Sequence, residues 1–331
     1  MATDPTRVAI VGLGRHGAGV AALLPLAGYQ FAGAADIGKK VGRPVGEFVP
    51  GANPGLVVQG SLDALLTGTG SQVVVLAAAV SGDDAARQAL AALRSGVNVV
   101  ALHEDLLAPG PDWAEELDKA GKQTGASFVS TGAQDTWWIH LPALVAGSSV
   151  GVTAIDLQAT VDVDTLPEVV GRAIGVGLSR DDFAPVAEAL SAAPSVMTVP
   201  LREAARRMGL EPQEPLTSVA PVIAEEPAAW RTAGQTIGTG SVLGITQTTR
   251  LATDRGIIFT GTLSTTLLPG GRKAPDRVRV TGIPELNVAV DPFPGVGIIN
   301  ATVVNRIADV VAAPGGVWSA ATLSPSRLHL G

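Results

Sequence analysis

A glycine turn, two carboxylates and a pair of adjacent indoles hold most of the chemistry this sequence could perform. Gly12, Leu13, Gly14, Arg15, His16 and Gly17 follow directly on the apolar run Arg7–Val11. Their spacing is G-x-G-x-x-G. The first glycine permits a tight turn, the second lets the backbone approach a pyrophosphate, and the third allows close helix–strand packing. Asp36 closes the next strand-like run, 29–35, near the spacing of about 20 residues at which an acid meets the adenosine ribose. Ala78 and Ala79, at the end of the apolar run 73–79, belong to the same expected cofactor site. Asp36 favours a free ribose 2′-hydroxyl and hence NAD. Arg15, Lys39 and Lys40 are placed to meet a 2′-phosphate, although the two lysines read equally well as a solvated loop. The balance favours NADP, with NAD tolerated.

Glu104 follows the apolar run 97–102 and His103, so it stands at the carboxyl end of a parallel strand, where ligands sit in such sheets. A carboxylate there could take a proton from an incoming nucleophile or hold a substrate cation, and burial would raise its pKa toward a useful range. Equally, His103, Glu104 and Asp105 could cap the next helix. Asp135 lies in the segment Ser130–His140, with Gln134 before it and Trp137 and Trp138 after it. It reads either as a second acid/base or cation-binding group or as a helix N-cap. Val80, His103, Gln134, Trp137 and Trp138 are the expected substrate-pocket residues; the two indoles read alternatively as core or interface. His140 reads as a satisfied helix histidine, and Arg172 and Asp162 as solvent-facing.

These residues need strands and helices to hold them. Residues 7–145 alternate apolar runs with helical stretches, the pattern of a doubly wound parallel sheet. Strands are expected at 73–79, 97–102 and 127–131, with helices at 83–95 and 111–124. From about Gly151 the pattern changes: residues 153–164 alternate strictly between apolar and polar, as in a half-buried strand of an antiparallel sheet. Helices at 167–176, 181–192 and 201–208 and strands at 242–251, 257–267 and 277–281 complete an α+β domain on an open mixed sheet. The expected organisation is therefore α/β, with a dinucleotide-binding domain at 1–148, a substrate and dimerisation domain at 149–295, and a helix and tail at 296–331 that return to the first domain.

Composition narrows the function. The 331 residues are 46% hydrophobic and 16% charged, which suits a well-packed α/β enzyme. A net charge of −7 offers no basic surface for nucleic acid. No apolar stretch is long enough to span a bilayer and no signal pattern leads the chain, so a cytoplasmic protein without a membrane partner is expected. The absence of cysteine removes thiol-acyl catalysis and thiolate zinc, and four histidines make a metal site an unpromising reading, so none is assigned.

The glycine turn is similar to that of dihydrodipicolinate reductases. The segment 96–109, GVNVVALHEDLLAP, resembles the strand and acidic loop of 2,4-diaminopentanoate dehydrogenases and the native amine dehydrogenases related to them. The segment 129–142 sits where that family carries Thr-Gly-x-Asn-Pro-Gly, here altered to Gln134, Asp135 and Thr136, and the closing segment 299–319 is similar to the family's returning helix. The resemblance implies NAD(P)H-dependent reductive amination of a small ketone, reversible as deamination of a primary amine. Glu104 takes the position of the glutamate that activates ammonia and handles protons around the carbinolamine. A homodimer through the second-domain sheet is also implied. The alternative is an imine or carbonyl reductase of the same fold that needs no free ammonia; a dinucleotide-binding sensor without turnover is the rival from another class.

Overall fold

The computed structural model describes residues 4–78, 81–103, 113–271, 273–291 and 293–328. The chain divides into two compact units, Met1–Trp137 with Pro294–Gly331, and Trp138–Phe293.

The first unit is built on a six-stranded parallel sheet of order β14-β5-β4-β3-β1-β2. Its strands are β1 (Arg7–Val11), β2 (Gln30–Ala35), β3 (Val73–Leu76), β4 (Asn98–Ala101), β5 (Ser127–Ser130) and β14 (Gly316–Trp318). Because side chains alternate across a strand, consecutive apolar residues serve two cores. Val74 and Leu76 face a core shared with Leu65 of α2 (Leu62–Thr69), Ala86 and Leu93 of α3 (Gly82–Arg94) and Leu117 of α4 (Trp113–Thr124). Val73 and Val75 face the opposite core, with Val20 of α1 (Arg15–Leu23) and Val303, Ile307 and Val310 of α9 (Val296–Ala312). Completely buried side chains such as Phe128 and Leu76 each contribute on the order of 1.5–3 kcal/mol from burial. α9 lies beside α1 in this unit, and the chain then adds β14 at the sheet edge after Pro314.

The second unit carries a mixed six-stranded sheet of order β13-β12-β6-β11-β10-β7. β6 (Val150–Asp162) pairs in parallel with β11 (Ile258–Thr266), and the remaining pairings with β7 (Leu216–Ile223), β10 (Val242–Ala252), β12 (Asp276–Ile283) and β13 (Leu286–Val290) are antiparallel. One face packs Ile155, Leu157, Phe259 and Val280 under Leu201 and Ala204 of α8 (Thr198–Arg207). The alternation along 153–164 thus marks a one-sided strand. Around the shorter helices α6 (Glu168–Ala173) and α7 (Ala184–Ala192) and the ribbon of β8 (Ala228–Trp230) with β9 (Gln235–Ile237), Trp230 is completely buried in a smaller core. β7 and β13 lie at the two sheet edges. β7 contains Pro221, a residue that removes a ladder donor and so weakens the sequence signature of a strand while remaining tolerable at an edge. Among the described residues no helix is long and apolar enough to cross a membrane.

Candidate functional site

At the carboxyl end of β1 the chain turns through Gly12, whose φ of +93° is strained for any L side chain. A Cβ on Gly12 would stand 2.5 Å from the Ala78 nitrogen, and one on Gly17 would stand 1.8 Å from the Gly12 carbonyl oxygen. Both glycines are therefore required by close backbone approach. A Cβ on Gly14 would meet nothing within 4 Å, so this backbone borders open space. α2 and α3 begin with Ser61 and Ser81 as side-chain caps, whereas α1 begins at Gly14 with no side-chain cap and no acid in its first turn. Its first amide donors are unclaimed by a cap, as an anionic pyrophosphate requires.

Asp36 is folded onto this turn. Its Oδ2 accepts from the Leu13 amide at 2.7 Å and from Lys40 Nζ at 2.9 Å, and its Oδ1 accepts from the Ile37 amide at 2.7 Å. Burial pushes the carboxyl up, but the bonds from Lys40, Ile37 and Leu13 outweigh it and hold the group below the ordinary carboxylate value. Lys40 also donates to the Leu13 carbonyl at 3.0 Å. Arg15 and Lys39 are exposed. Arg43, which pairs with Glu47 and stands 5.0 Å over the Phe48 ring, is a further cation on the segment after Asp36 that spacing alone gave no reason to select. His16 Nδ1 lies 3.0 Å from Asn300 Oδ1, so α9 reaches the glycine turn through a buried amide. The structure thus brings together Gly12, Leu13, Gly17, Asp36, Lys40 and Ala78. Ala79 lies outside the described residues.

On the substrate side, Glu104 and Val80 also lie outside the described residues. His103, which precedes Glu104, is anchored: its carbonyl accepts from Ser130 Oγ at 2.9 Å, tying the ends of β4 and β5 together. Beyond β5 the chain forms a π-helical turn, Asp135–His140, followed by α5 (Leu141–Ala146). Gln134 and Asp135 are buried within the first unit and Trp137 is half-buried; Trp138 packs against the α8-covered core of the second unit, and His140 is buried.

Asp135 is completely buried and bound at both oxygens. Arg306 Nε donates to Oδ2 and Nη2 donates to Oδ1, each at 2.6 Å, and Thr131 Oγ1 donates to Oδ2 at 2.7 Å. Burial works to lower the Arg306 pKa, but the bonds to Asp135 and Asp309 overcome it and raise it above the ordinary value, so the guanidinium is fixed in its charged form. Neither Arg306 nor Thr131 was selected from spacing. The available signal was a single arginine inside the apolar run of α9, facing a single acid in an apolar turn. Asp162 caps the turn after β6, and Arg172 pairs with Glu168 over the Trp230 ring, so both are engaged locally. Among the described residues no group of three or more His, Asp or Glu side chains could hold a metal ion.

No protein-family model matches the chain. It is similar to the amine dehydrogenase from Mycobacterium smegmatis, with a TM-score of 0.87 and 28% identity over 98% of this chain and 97% of that one. In fold and sequence it is amine dehydrogenase-like. A 2,4-diaminopentanoate dehydrogenase from Acetoanaerobium sticklandii is 25% identical over 191 residues, 54% of this chain and 53% of that protein. The matched stretch is thus about half the length of the curated relative. Myo-inositol 2-dehydrogenase from Lactobacillus plantarum shares the fold alone, with a TM-score of 0.53 and 16% identity over 88% of this chain and 77% of that one. This amine dehydrogenase-like chain is accordingly an oxidoreductase of the nicotinamide dinucleotide-dependent type, and its glycine turn and the helix that starts without a side-chain cap fit that cofactor.

Proposed function

We propose that the chain catalyses the reductive amination of a small ketone, consuming ammonia and a reduced nicotinamide dinucleotide and releasing water, and the reverse oxidative deamination of a primary amine. The observation that carries this reading is the likeness to an amine dehydrogenase over nearly the whole chain, joined to a built dinucleotide turn. The bound cofactor supplies a hydride. The chain's part is to hold the ketone and manage protons. Glu104, which follows β4 in the sequence, binds ammonium and takes a proton from it, since neutral ammonia is scarce near pH 7. Once protonated, the same carboxyl assists loss of hydroxyl from the carbinolamine, and as a carboxylate it stabilises the iminium charge. His103, the residue before Glu104 in the sequence, is held through its carbonyl by Ser130. Trp137, half-buried, supplies an apolar wall.

The occupied geometry of Asp135 favours an anchoring role over proton transfer. For the cofactor, Lys40 compensates the Asp36 charge that would repel a 2′-phosphate, and exposed Arg15 and Lys39 add positive charge, which supports NADP. Asp36 Oδ1 accepts a single described bond, from Ile37, and so retains acceptor capacity for a ribose hydroxyl, which supports acceptance of NAD. The open face of the second-unit sheet, with half-exposed Thr160, Thr246, Thr262 and Ser264, is the surface proposed for a second copy of the chain.

The deamination direction gives a direct test. Incubated with a panel of primary amines and oxidised cofactor, the chain is expected to release ammonia in one-to-one proportion to the reduced cofactor formed. Cofactor reduction by secondary alcohols, with no ammonia released from any amine, would replace this reading with carbonyl reduction.

A further inference from the structure

We propose that Arg306 is a positioning residue for the organic substrate, acting through Asp135 to fix the π-helical turn and the Trp137 indole. The inference rests on the functional reading above only in taking Trp137 as a wall of the substrate site.

Three observations lead to it. First, a π-helical turn is rare and tends to occur where function demands a local departure from an ordinary helix, so something outside the turn must hold it. Second, Arg306 is a rigid post. It is completely buried on α9 between Val303, Val304, Ile307 and Val310, all of which sit in the core beneath the sheet. Third, its guanidinium joins three separate segments. One edge grips Asp135 with two bonds of 2.6 Å, and Nη1 donates to Asp309 Oδ2 at 2.7 Å and to the Ser324 carbonyl at 2.6 Å. The turn is tied again where Thr131 donates to Asp135 and where Thr136 Oγ1 lies 3.3 Å from Ser326 Oγ.

A buried ion pair is a poor device for stability alone, because apolar residues of the same volume would serve as well. Its particular property is direction. A guanidinium fork accepts a carboxylate in one plane and one orientation, and lysine cannot reproduce that. Asp135 opens the π-helical turn and Trp137 follows two residues later, so the orientation of the fork passes directly to the indole.

The test compares the full-length chain with Arg306→Lys, and with Asp135→Asn should the lysine variant fail to fold. The readouts are NAD(P)H affinity, the KM and kcat for a ketone, and acrylamide quenching of the Trp137 fluorescence, obtained by difference against Trp137→Phe. Loss of the fork is expected to raise the ketone KM about tenfold and to lower kcat severalfold, while cofactor affinity stays within about twofold. Trp137 should become about twofold more accessible to quencher. An unchanged ketone KM and unchanged quenching, with only a lower melting temperature, would overturn the inference and leave Arg306 a structural residue. A parallel loss of cofactor affinity would overturn it too. Wild-type turnover with and without ammonium reads the functional assignment separately. If no ketone is turned over at all, that assignment fails while the Trp137 quenching still decides the role of Arg306.

Discussion

Two turns at carboxyl ends of the same parallel sheet are built in opposite ways. After β1 the turn is made mainly by close backbone approach: Gly12 adopts a positive φ beside the Ala78 backbone and Gly17 presses against the Gly12 carbonyl, while Asp36, Lys40 and Asn300 add side-chain bonds to it. After β5 the turn is made by a partner 171 residues away, Arg306, which reaches into the protein to bind both oxygens of Asp135. The first kind of turn presents amides to whatever anion lies over it, as dinucleotide sites across many folds do. The second presents particular side chains in a particular orientation. On the proposed reading the labour is divided, with cofactor recognition resting on close backbone approach and substrate positioning on a long-range ion pair.

The largest effect should come from breaking the distant anchor. Arg306→Met leaves Asp135 buried and charged, and a cost of about 3–5 kcal/mol in unfolding free energy is expected by denaturant titration. Replacing both partners with apolar residues should recover most of that loss, whereas simple addition of the two single effects would show that the pair does not act as a unit. Breaking the local turn comes next. Gly17→Ala forces the chain away from the Gly12 carbonyl, and strain of about 1–3 kcal/mol should appear as roughly 5- to 150-fold weaker NAD(P)H binding. Retained affinity would mean that the turn is not the cofactor cradle.

A smaller effect is expected at Asp36. Its carboxyl is depressed when folded, so its contribution is present above the ordinary value of 3.8 and is lost as pH falls through the folded-state value. Asp36→Asn should flatten that acid limb of the stability profile and shift preference further toward NADPH by severalfold, seen in the ratio of the two cofactor affinities. The smallest change is expected from Asn300→Ala, which removes the amide beside His16 and should weaken cofactor binding by about 1 kcal/mol.

The contrast between the turns also explains what could be read in the sequence. The G-x-G-x-x-G spacing, the acid after β2 and the runs at 73–79 and 97–102 are local patterns, and the runs contain the shorter strands β3 and β4 of the first unit. The alternation at 153–164 likewise corresponds to β6, because one covered face imposes a period of two. Arg306 had no such signature. Its significance depends on α9 packing beside α1 and on β5 ending near it, which spacing along the chain does not encode. The same limit applies to Asp135, whose chemistry as a free carboxylate and as a salt-bridge anchor is written with the same letter. β7 was hidden for a simpler reason: Pro221 contradicts a strand everywhere except at an edge.

The central claim, amine dehydrogenase chemistry, is tested most directly by the rate of NADPH oxidation with a panel of small ketones, run with and without ammonium. Turnover that appears only with ammonium, and falls by at least about 100-fold in Glu104→Gln, is the result expected of a carboxylate that activates ammonia. Equal rates with and without ammonium would contradict the claim and make the chain a carbonyl reductase.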